Sequence, residues 1–366
     1  MTPPITITLV VDNEAPSDMV AEHGFAAWID SGEECFLFDT GQGAALIPNA
    51  AALGIDLSRA HALILSHGHY DHTGAVLAFL AANPDAPVIY AHDATISRFS
   101  CRPDEQPPRQ IGMAEEVRQA LCGLPAERRI VLDGPRYLRR GIGITGPVPR
   151  NSGFEDTGGP FYLGADKLQP DPITDDLSLW FETGDGLVIL TGCCHSGLVN
   201  TVRQAQRISG MTRIRGIIGG LHLLNAGAER LDATLAFLHE CAPDFLLPCH
   251  CTGAQVIERL HAEPDDHLGL MLGFVGHLIG LEAEALAVGD DAAAGEAGVC
   301  PGQKLATALG LVPGLAVFER DVQRERLALE GLAGWAGRFT PNLSLAPPDE
   351  LLLDIGGCPR LFGGLD

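Results

Sequence analysis

Four potential metal ligands lie within six residues of this chain, directly after a short apolar run. The motif starts at His67 and reads His-Gly-His-Tyr-Asp-His, and residues 62–65 before it have the character of a buried strand. Side chains alternate in an extended segment, so His67 and His69 project to one side and can hold one ion. As the chain bends after them, Asp71 and His72 turn toward another point. The sequence therefore predicts a metal site at a strand end, with ligands for two ions.

The ligand types leave the identity of the metal open. Imidazole nitrogens with one carboxylate suit zinc, iron, manganese or nickel, and we take zinc as the first expectation. A chance cluster of histidines in a surface loop is the alternative explanation. The motif argues against it, because it is internal and leads from a buried strand into a helical pattern at residues 73–80. We expect one or two divalent ions and a small-molecule substrate.

Composition limits the class of protein. A chain of 366 residues with 46% hydrophobic content can bury one large core, or a large core and a small one. The net charge of -23 argues against nucleic-acid binding, which needs Lys and Arg to displace counterions. The N-terminus lacks a signal pattern, and no apolar stretch approaches the roughly 20 residues of a membrane span. Of the ten cysteines, four lie beside histidines at 193–194, 249 and 251, and the rest are scattered as in a reduced protein, so we expect a soluble cytoplasmic chain. Oligomeric state is not indicated.

Three later strand predictions each end at a histidine. The pattern at residues 187–190, the second strand of a predicted hairpin, leads to His195, the strand at 214–218 leads to His222, and the strand at 245–247 leads to His250. Residues 101–175, in contrast, are rich in Pro, Gly and charge. Their one helical stretch is at 109–121, and they are predicted to be an insertion on the substrate side.

The motif at residues 67–72, placed after an apolar strand, resembles the metallo-β-lactamase superfamily. Flanking segments resemble one subgroup, similar to the dihydropterin-linked ribofuranosylaminobenzene phosphate synthase proteins, over about residues 1–285. The resemblance implies an α/β fold, an αββα sandwich. The flanking segments are Val-Asp-Asn at 11–13, Glu-His-Gly at 22–24, Phe-Leu-Phe-Asp-Thr-Gly at 36–41, Thr-Gly-Cys-Cys-His at 191–195, Gly-Gly-Leu-His-Leu at 219–223 and Pro-Cys-His-Cys-Thr-Gly at 248–253.

The resemblance assigns ligands residue by residue. It implies that the motif side chains and His250 bind metal, with a satisfied core histidine as the alternative for His250. Familiar members of the superfamily carry a further histidine before the hairpin, where this chain has residues 171–176 without one. His195, after the hairpin, is expected to replace it in space. The full implied set is His67, His69, Asp71, His72, His195 and His250.

Cys193 departs from the superfamily pattern, which often has a bridging aspartate at this position. Either the thiolate bridges the two ions as a softer, zinc-favouring ligand, or the site holds one metal and Cys193 is a small buried residue. Asp39 is expected to orient a ligating histidine, with a turn residue as the alternative. His222 is a candidate for contact with substrate or for orienting a ligand, with a buried structural role as the alternative.

These residues favour a metal-dependent hydrolase of a small ester, lactone or phosphoester, acting through metal-activated water. Asp71 and His222 are the candidate catalytic residues, Asp71 as proton acceptor and His222 as partner of the leaving group or of an anionic substrate. One alternative is a synthase-like transferase on a pterin or aminobenzene-ribose phosphate substrate. The other is a non-catalytic ligand-binding protein.

The end of the chain has a different character. Residues 289–295 form a predicted linker, which divides the chain into domains at 1–286 and 287–366. Segments at 301–309, 319–321 and 349–364 resemble part of the Y-family polymerase-like proteins of bacterial mutagenic repair. The tail is therefore expected to be a small α+β fragment that lacks the polymerase catalytic strand and DNA-binding parts.

Overall fold

The computed structural model describes residues 5–102, 107–262, 269–271, 273–281, 343–346 and 350–353. The chain divides into two compact units, Met1–Leu281 and Glu282–Asp366. The predicted linker and the proposed boundary near residue 287 lie outside the described residues. The second unit is described only at the strands β18 and β19 listed below, which pair antiparallel.

The described strands and α-helices are as follows. The strands are β1 Ile5–Val11, β2 Ala26–Asp30, β3 Cys35–Phe38, β4 Ala60–Ile64, β5 Val88–Ala91, β6 Phe99–Ser100, β7 Arg109–Gln110, β8 Arg129–Leu132, β9 Arg136–Arg139, β10 Ile142–Ile144, β11 Phe161–Tyr162, β12 Ser178–Thr183, β13 Gly186–Thr191, β14 Ile214–Gly219, β15 Phe245–Pro248, β16 Gly269–Leu270, β17 Leu278–Leu281, β18 Leu343–Ala346 and β19 Glu350–Leu353. The helices are α1 Leu46–Ala52, α2 Tyr70–Thr73, α3 Val76–Ala82, α4 Glu115–Gly123, α5 Leu198–Ser209, α6 Ala228–Cys241 and α7 Ala254–Ala262.

Two seven-stranded sheets form the centre of the first unit. Their strand orders are β17-β1-β2-β3-β4-β5-β8 and β16-β15-β14-β13-β12-β10-β9. Within them, β3, β4 and β5 run parallel in one sheet, and β13, β14 and β15 run parallel in the other. The carboxyl ends of parallel neighbours meet at one edge of a sheet, which is where open α/β sheets bind ligands.

The alternation of side chains along the strands explains why the two sheets stack. In β1, Ile7 and Leu9 point into the core between the sheets, whereas Val10 joins the core beneath the helices of its own sheet. In β12, Phe181 faces the opposite sheet and Trp180 faces the helices. These two strands carry apolar residues on both faces because helices cover the outer face of each sheet.

Helices complete the four layers. Leu46 of α1 and Phe79 of α3 pack on the outer face of the first sheet. Val202 of α5, Leu235 of α6 and Val256 of α7 pack on the outer face of the second. The predicted αββα sandwich is thus confirmed. None of the described helices is long and apolar enough to cross a membrane.

Residues 101–175 differ from the expectation of an insertion. They supply β8 to the edge of the first sheet and both β9 and β10 to the second, so part of this segment belongs to the core. The predicted helix at 109–121 is shorter and begins later, as α4, because β7 occupies its first residues. Strands β8 and β9 are short and carry Arg at exposed positions. The alternation of apolar and polar residues that indicates a strand is therefore hidden in the sequence.

Candidate metal centre

A first group of histidines converges beyond the end of β4. His67 and His69 project from the loop that follows this strand, and His195 follows β13 in the other sheet. Nε2 of His67 lies 2.9 Å from Nδ1 of His69, and the three side chains offer ligand atoms within 4.8 Å of one another. All three are buried. The structure therefore brings His195 to the two motif histidines, as the resemblance implied.

A second group lies beside the first. Nε2 of His72 is 3.2 Å from Nε2 of His250, and Oδ2 of Asp71 is 3.6 Å from the same nitrogen of His250. His23 was not predicted as a ligand, yet it reaches this group with its Nε2 3.1 Å from Oδ2 of Asp71. The structure therefore arranges the predicted ligands around two neighbouring points.

Cys193 lies between the two groups. Its Sγ is 3.1 Å from Nε2 of His72. The ligand atoms of Cys193, His67 and His72 all lie within 4.8 Å of one another. Cys193 also belongs to a set with His195 and His222, and to one with His250 and Cys251. Cys193 is therefore within reach of both groups.

Asp39 holds the imidazole of His72. Oδ2 of Asp39 lies 2.7 Å from Nδ1 of His72, and both side chains are fully buried. The other oxygen of Asp39 accepts a hydrogen bond from the backbone N–H of Ser66, and the Ser66 hydroxyl donates to Oδ2. A carboxylate on Nδ1 leaves Nε2 of His72 directed at the centre, the usual arrangement behind a metal-bound histidine.

The outer nitrogens of two other histidines are also fixed. Nδ1 of His195 lies 2.9 Å from the carbonyl oxygen of Thr157, which leaves its Nε2 buried and without a partner among the described residues. Nδ1 of His250 lies 3.0 Å from Oδ1 of Asn13, and the Asn13 amide donates to the His250 carbonyl. Both contacts select the tautomer or orientation that frees Nε2.

The backbone at the site is unusual. Asp39, Cys194, His222 and His250 all have positive φ, between 45° and 61°. Non-glycine residues avoid this region, and such conformations persist where the surrounding structure fixes them, often at functional sites. At each of these positions the chain turns sharply just after a strand.

Burial sets the charge of the cluster. It lowers the pKa values of His67, His69 and His195 well below 6.5, so these imidazoles are neutral at pH 7 and keep a lone pair. Burial would also lower the pKa of His72, but Asp39 and Asp71 raise it to about 9.

The pKa values of Asp71 and Cys193 are shifted in opposite directions. Burial opposes ionisation of Asp71, but His72 and His23 hold its pKa far below the usual value, so it is a carboxylate. Burial raises the pKa of the Cys193 thiol well above 9, and a cation beside the sulfur would offset this effect.

A buried ion triad supports the metal loop from behind. Arg98 is fully buried and pairs with Asp171 at 2.8 Å and with Asp175 at 2.8 Å. Oδ2 of Asp175 also accepts a hydrogen bond of 2.7 Å from the backbone N–H of Gly68, between the two first histidines. A β-carbon at Gly68 would lie 1.9 Å from the carbonyl oxygen of Ala94, so only glycine fits here.

His222 lies on the other side of His195 from the metal loop. Its ring centroid is 4.1 Å from that of His195 and 6.0 Å from that of Phe161. Phe161 also contacts the ring of His69, at 5.6 Å. Nδ1 of His222 is buried and has no hydrogen-bond partner among the described residues. This nitrogen is available to a ligand.

The side chains fit divalent metal ions. Pairs of imidazole nitrogens lie about 3 Å apart, and the buried Nε2 of His195 has no partner among the described residues. Together with the Asp71 carboxylate and the Cys193 thiol, they form the donor set of a nitrogen- and sulfur-rich metal site. The fold and this cluster together define a metal-binding αββα protein.

The comparisons place the chain within a family. Residues 20–195 match the family model described as the metallo-beta-lactamase superfamily. The chain is 30% identical over 279 residues to the uncharacterized protein MJ0448 of Methanocaldococcus jannaschii, covering 75% of this chain and 100% of that protein. This protein belongs to the metallo-β-lactamase superfamily.

Two further relatives are informative. The 7,8-dihydropterin-6-methyl-4-(β-D-ribofuranosyl)-aminobenzene-5'-phosphate synthase of the same organism is 30% identical over 245 residues, 62% of this chain and 82% of that enzyme. The crystal structure of Tm1679, a metal-dependent hydrolase of the beta-lactamase superfamily, superposes with a TM-score of 0.62 at 25% identity. It covers 75% of this chain and 98% of that one.

The C-terminal stretch has a different relative. Over 67 residues it is 46% identical to protein ImuB of Caulobacter vibrioides, which is 18% of this chain and 15% of that protein. The segments that carried this resemblance in the sequence lie largely outside the described residues.

Sequence reasoning missed three contributors to the centre. His23, Asn13 and Cys251 lie within motifs of the sequence but have no predicted role there, and the structure places all three against predicted ligands. The sequence places Asn13 shortly after β1 and His23 shortly before β2, which is the one indication that they could lie near a site at the strand ends. No local spacing connects them to their partners, which are far away in the chain.

Proposed function

We propose that this protein is a metal-dependent hydrolase of a small ester, lactone or phosphoester. The observation that carries the proposal is the buried cluster beyond the strand ends, in which imidazole nitrogens, a carboxylate and a thiol offer ligand atoms within 4.8 Å of one another. The resemblance to Tm1679, a metal-dependent hydrolase, supports it. Divalent ions bound there would acidify water and polarise the bond to be broken.

The chain's own residues would divide the work. His67, His69 and His195 hold one ion, and Asp71, His72 and His250 hold the other, with Cys193 between them. The full set of proposed ligands is thus the one expected from the sequence. The strongly lowered pKa of Asp71 favours the role of a ligand over that of a proton acceptor. Zinc is the first expectation, because thiolate and imidazole are its preferred ligands.

His222 would act on the substrate. Its buried Nδ1 has no hydrogen-bond partner in the described part of the chain, and its ring centroid lies 4.1 Å from that of His195, a proposed metal ligand, so it lies within reach of a group bound at the first ion. It could donate a hydrogen bond or proton to the leaving group, or hold an anionic substrate. Phe161 beside it excludes water from this side.

A test starts with metal content. Elemental analysis of purified protein should give two divalent ions per chain, and a His69→Ala variant should contain fewer. Metal-loaded protein should then hydrolyse at least one member of a panel of aryl esters, lactones and phosphodiesters. His92→Ala is a matched control, because His92 is exposed and lies outside the cluster. A fully loaded protein that is inert on the whole panel would contradict the proposal.

A second candidate function rests on the synthase relative. At 30% identity over 82% of that enzyme, the chain would join a pterin that bears a leaving group to an aminobenzene-ribose phosphate, with release of that leaving group and a proton. Incubation of loaded protein with these two reactants, followed by mass spectrometry, tests this directly. Condensed product would favour the transferase, whereas hydrolysis products alone would favour the hydrolase.

A further inference from the structure

His23 differs from the other histidines at the centre. The side chain of His23 is 51% exposed. The five histidines predicted as ligands are buried, and His222 is half-buried. His23 nevertheless belongs to a set of three ligand groups, with Asp71 and His250, whose atoms lie within 4.8 Å of one another. The second metal position thus has an imidazole on its solvent side.

The geometry points to coordination. Nε2 of His23 lies 3.1 Å from Oδ2 of Asp71, which itself lies 3.6 Å from Nε2 of His250. The rings of His23 and His250 have centroids 5.1 Å apart and are tilted by 36°. An ion held by Asp71 and His250 would therefore have Nε2 of His23 beside it, with a lone pair available whenever this imidazole is neutral.

The backbone around His23 is fixed to the site on both sides. On one side, the Glu22 carboxylate accepts hydrogen bonds from four successive backbone N–H groups, at residues 42–45. On the other side, the N–H of Gly24 donates to Oδ1 of Asn13, which also contacts Nδ1 of His250. One amide oxygen thus ties the His23 segment to the His250 imidazole.

A second contact fixes the distance between this segment and the metal loop. The N–H of Phe25 donates to the carbonyl oxygen of Asp71 at 3.2 Å. A β-carbon at Gly24 would lie 2.7 Å from the same carbonyl oxygen, so the backbones approach as closely as glycine permits. Such support is unnecessary for a solvent-exposed side chain, but a metal ligand needs it.

We propose that His23 is a protein ligand of the second metal position, together with Asp71, His72 and His250. The inference rests on the proposed metal centre and adds a ligand to it. The alternative is that His23 only donates a hydrogen bond to Asp71. His92 offers a matched comparison, because its Nδ1 lies 3.1 Å from Oδ1 of Asp93 in an exposed pair away from the centre.

Scalar coupling distinguishes a coordinate bond from a hydrogen bond. The full chain is loaded with two equivalents of an NMR-active cadmium isotope, and couplings between cadmium and histidine ring protons are recorded. We expect the His23 ring to couple to the same cadmium as His72 and His250, and the His92 ring to show no coupling. In His23→Gln, the second cadmium should bind at least about tenfold more weakly, with His92→Gln unchanged.

The outcomes separate the two proposals. Couplings from His72 and His250 without one from His23 would overturn this inference and leave the metal centre intact. Absence of couplings from all three rings would contradict the second metal position of the proposed centre, and with it this inference. Binding alone does not decide, because removal of an orienting residue also weakens metal binding, so the coupling is the deciding measurement.

Discussion

The carboxylate of Asp39 lies 2.7 Å from Nδ1 of His72, and neither side chain is exposed to solvent. The pair joins the end of β3 to the metal loop after β4. It turns Nε2 of His72 toward Cys193 and His250. The orientation of this predicted ligand is therefore fixed by a carboxylate that lies outside both groups of predicted ligands.

Asp39→Asn tests this dependence. Asparagine tolerates the positive φ of 61° and can still accept the bond from Ser66, but it removes the charge that orients His72. We expect metal affinity to fall about 10- to 100-fold with little loss of folded structure. Competition with a chromophoric chelator measures the affinity, and circular dichroism checks the fold. Equal affinity in both proteins would refute the role of Asp39.

His195 and His222 should give different results although their rings stack. His195→Ala removes a proposed ligand, so we expect the metal content to fall by about one ion per chain. His222→Ala should keep two ions and lose about 10²- to 10⁴-fold in kcat, the typical range for a proton-transfer group. Elemental analysis and steady-state kinetics on the same preparations separate the two. Loss of metal from both variants would reassign His222 as a ligand.

Cys193 should leave a spectroscopic signature. In the cobalt-substituted protein, a thiolate ligand produces a charge-transfer absorption in the near ultraviolet that nitrogen and oxygen ligands do not produce. We expect this band in the native chain and its loss in Cys193→Ser. Cys122→Ser is the control, because Cys122 is a free, exposed thiol. Persistence of the band in Cys193→Ser would assign the sulfur ligand to another residue.

Cys193→Asp should retain both ions and shift the metal preference of the site toward harder metals.

The Arg98 triad should contribute to stability as well as to loop geometry. Asp175→Asn leaves Arg98 partly uncompensated in a fully buried place, which we expect to lower the free energy of unfolding by about 3–5 kcal/mol. Asp244→Asn, in an exposed pair with Arg213, should change it by less than about 1 kcal/mol. Urea unfolding measures both. Similar values for the two variants would contradict the role assigned to the triad.

Asp176 should make stability depend on pH. Burial raises its pKa from 3.8 to about 6, so the folded protein holds the proton more tightly than the unfolded chain does. The ionised carboxylate then lowers stability as pH rises from about 4 to about 6. We expect Asp176→Asn to be more stable at pH 7, by at most about 3 kcal/mol, and no more stable at pH 3. Urea unfolding at the two pH values tests this, and an equal difference at both would contradict it.

The sequence by itself determined the parts of the centre that are local. The spacing of His67, His69, Asp71 and His72 after an apolar strand indicated a metal loop, because alternation and the bend into a helix act within a few residues. The strands that lead to His195 and His250 were equally clear in the sequence, since the buried parallel strands β13 and β15 are continuous apolar runs.

The tertiary structure decided what depends on distant partners. His23 comes to Asp71, and Cys193 to His72, only because stacked sheets bring strand ends together. The short strands β8 to β10 gain their hydrogen bonds from neighbours in the sheets, and their own side chains carry too little apolar pattern to reveal them. Local spacing fixes which side chains can bind a metal, and long-range pairing fixes which of them meet.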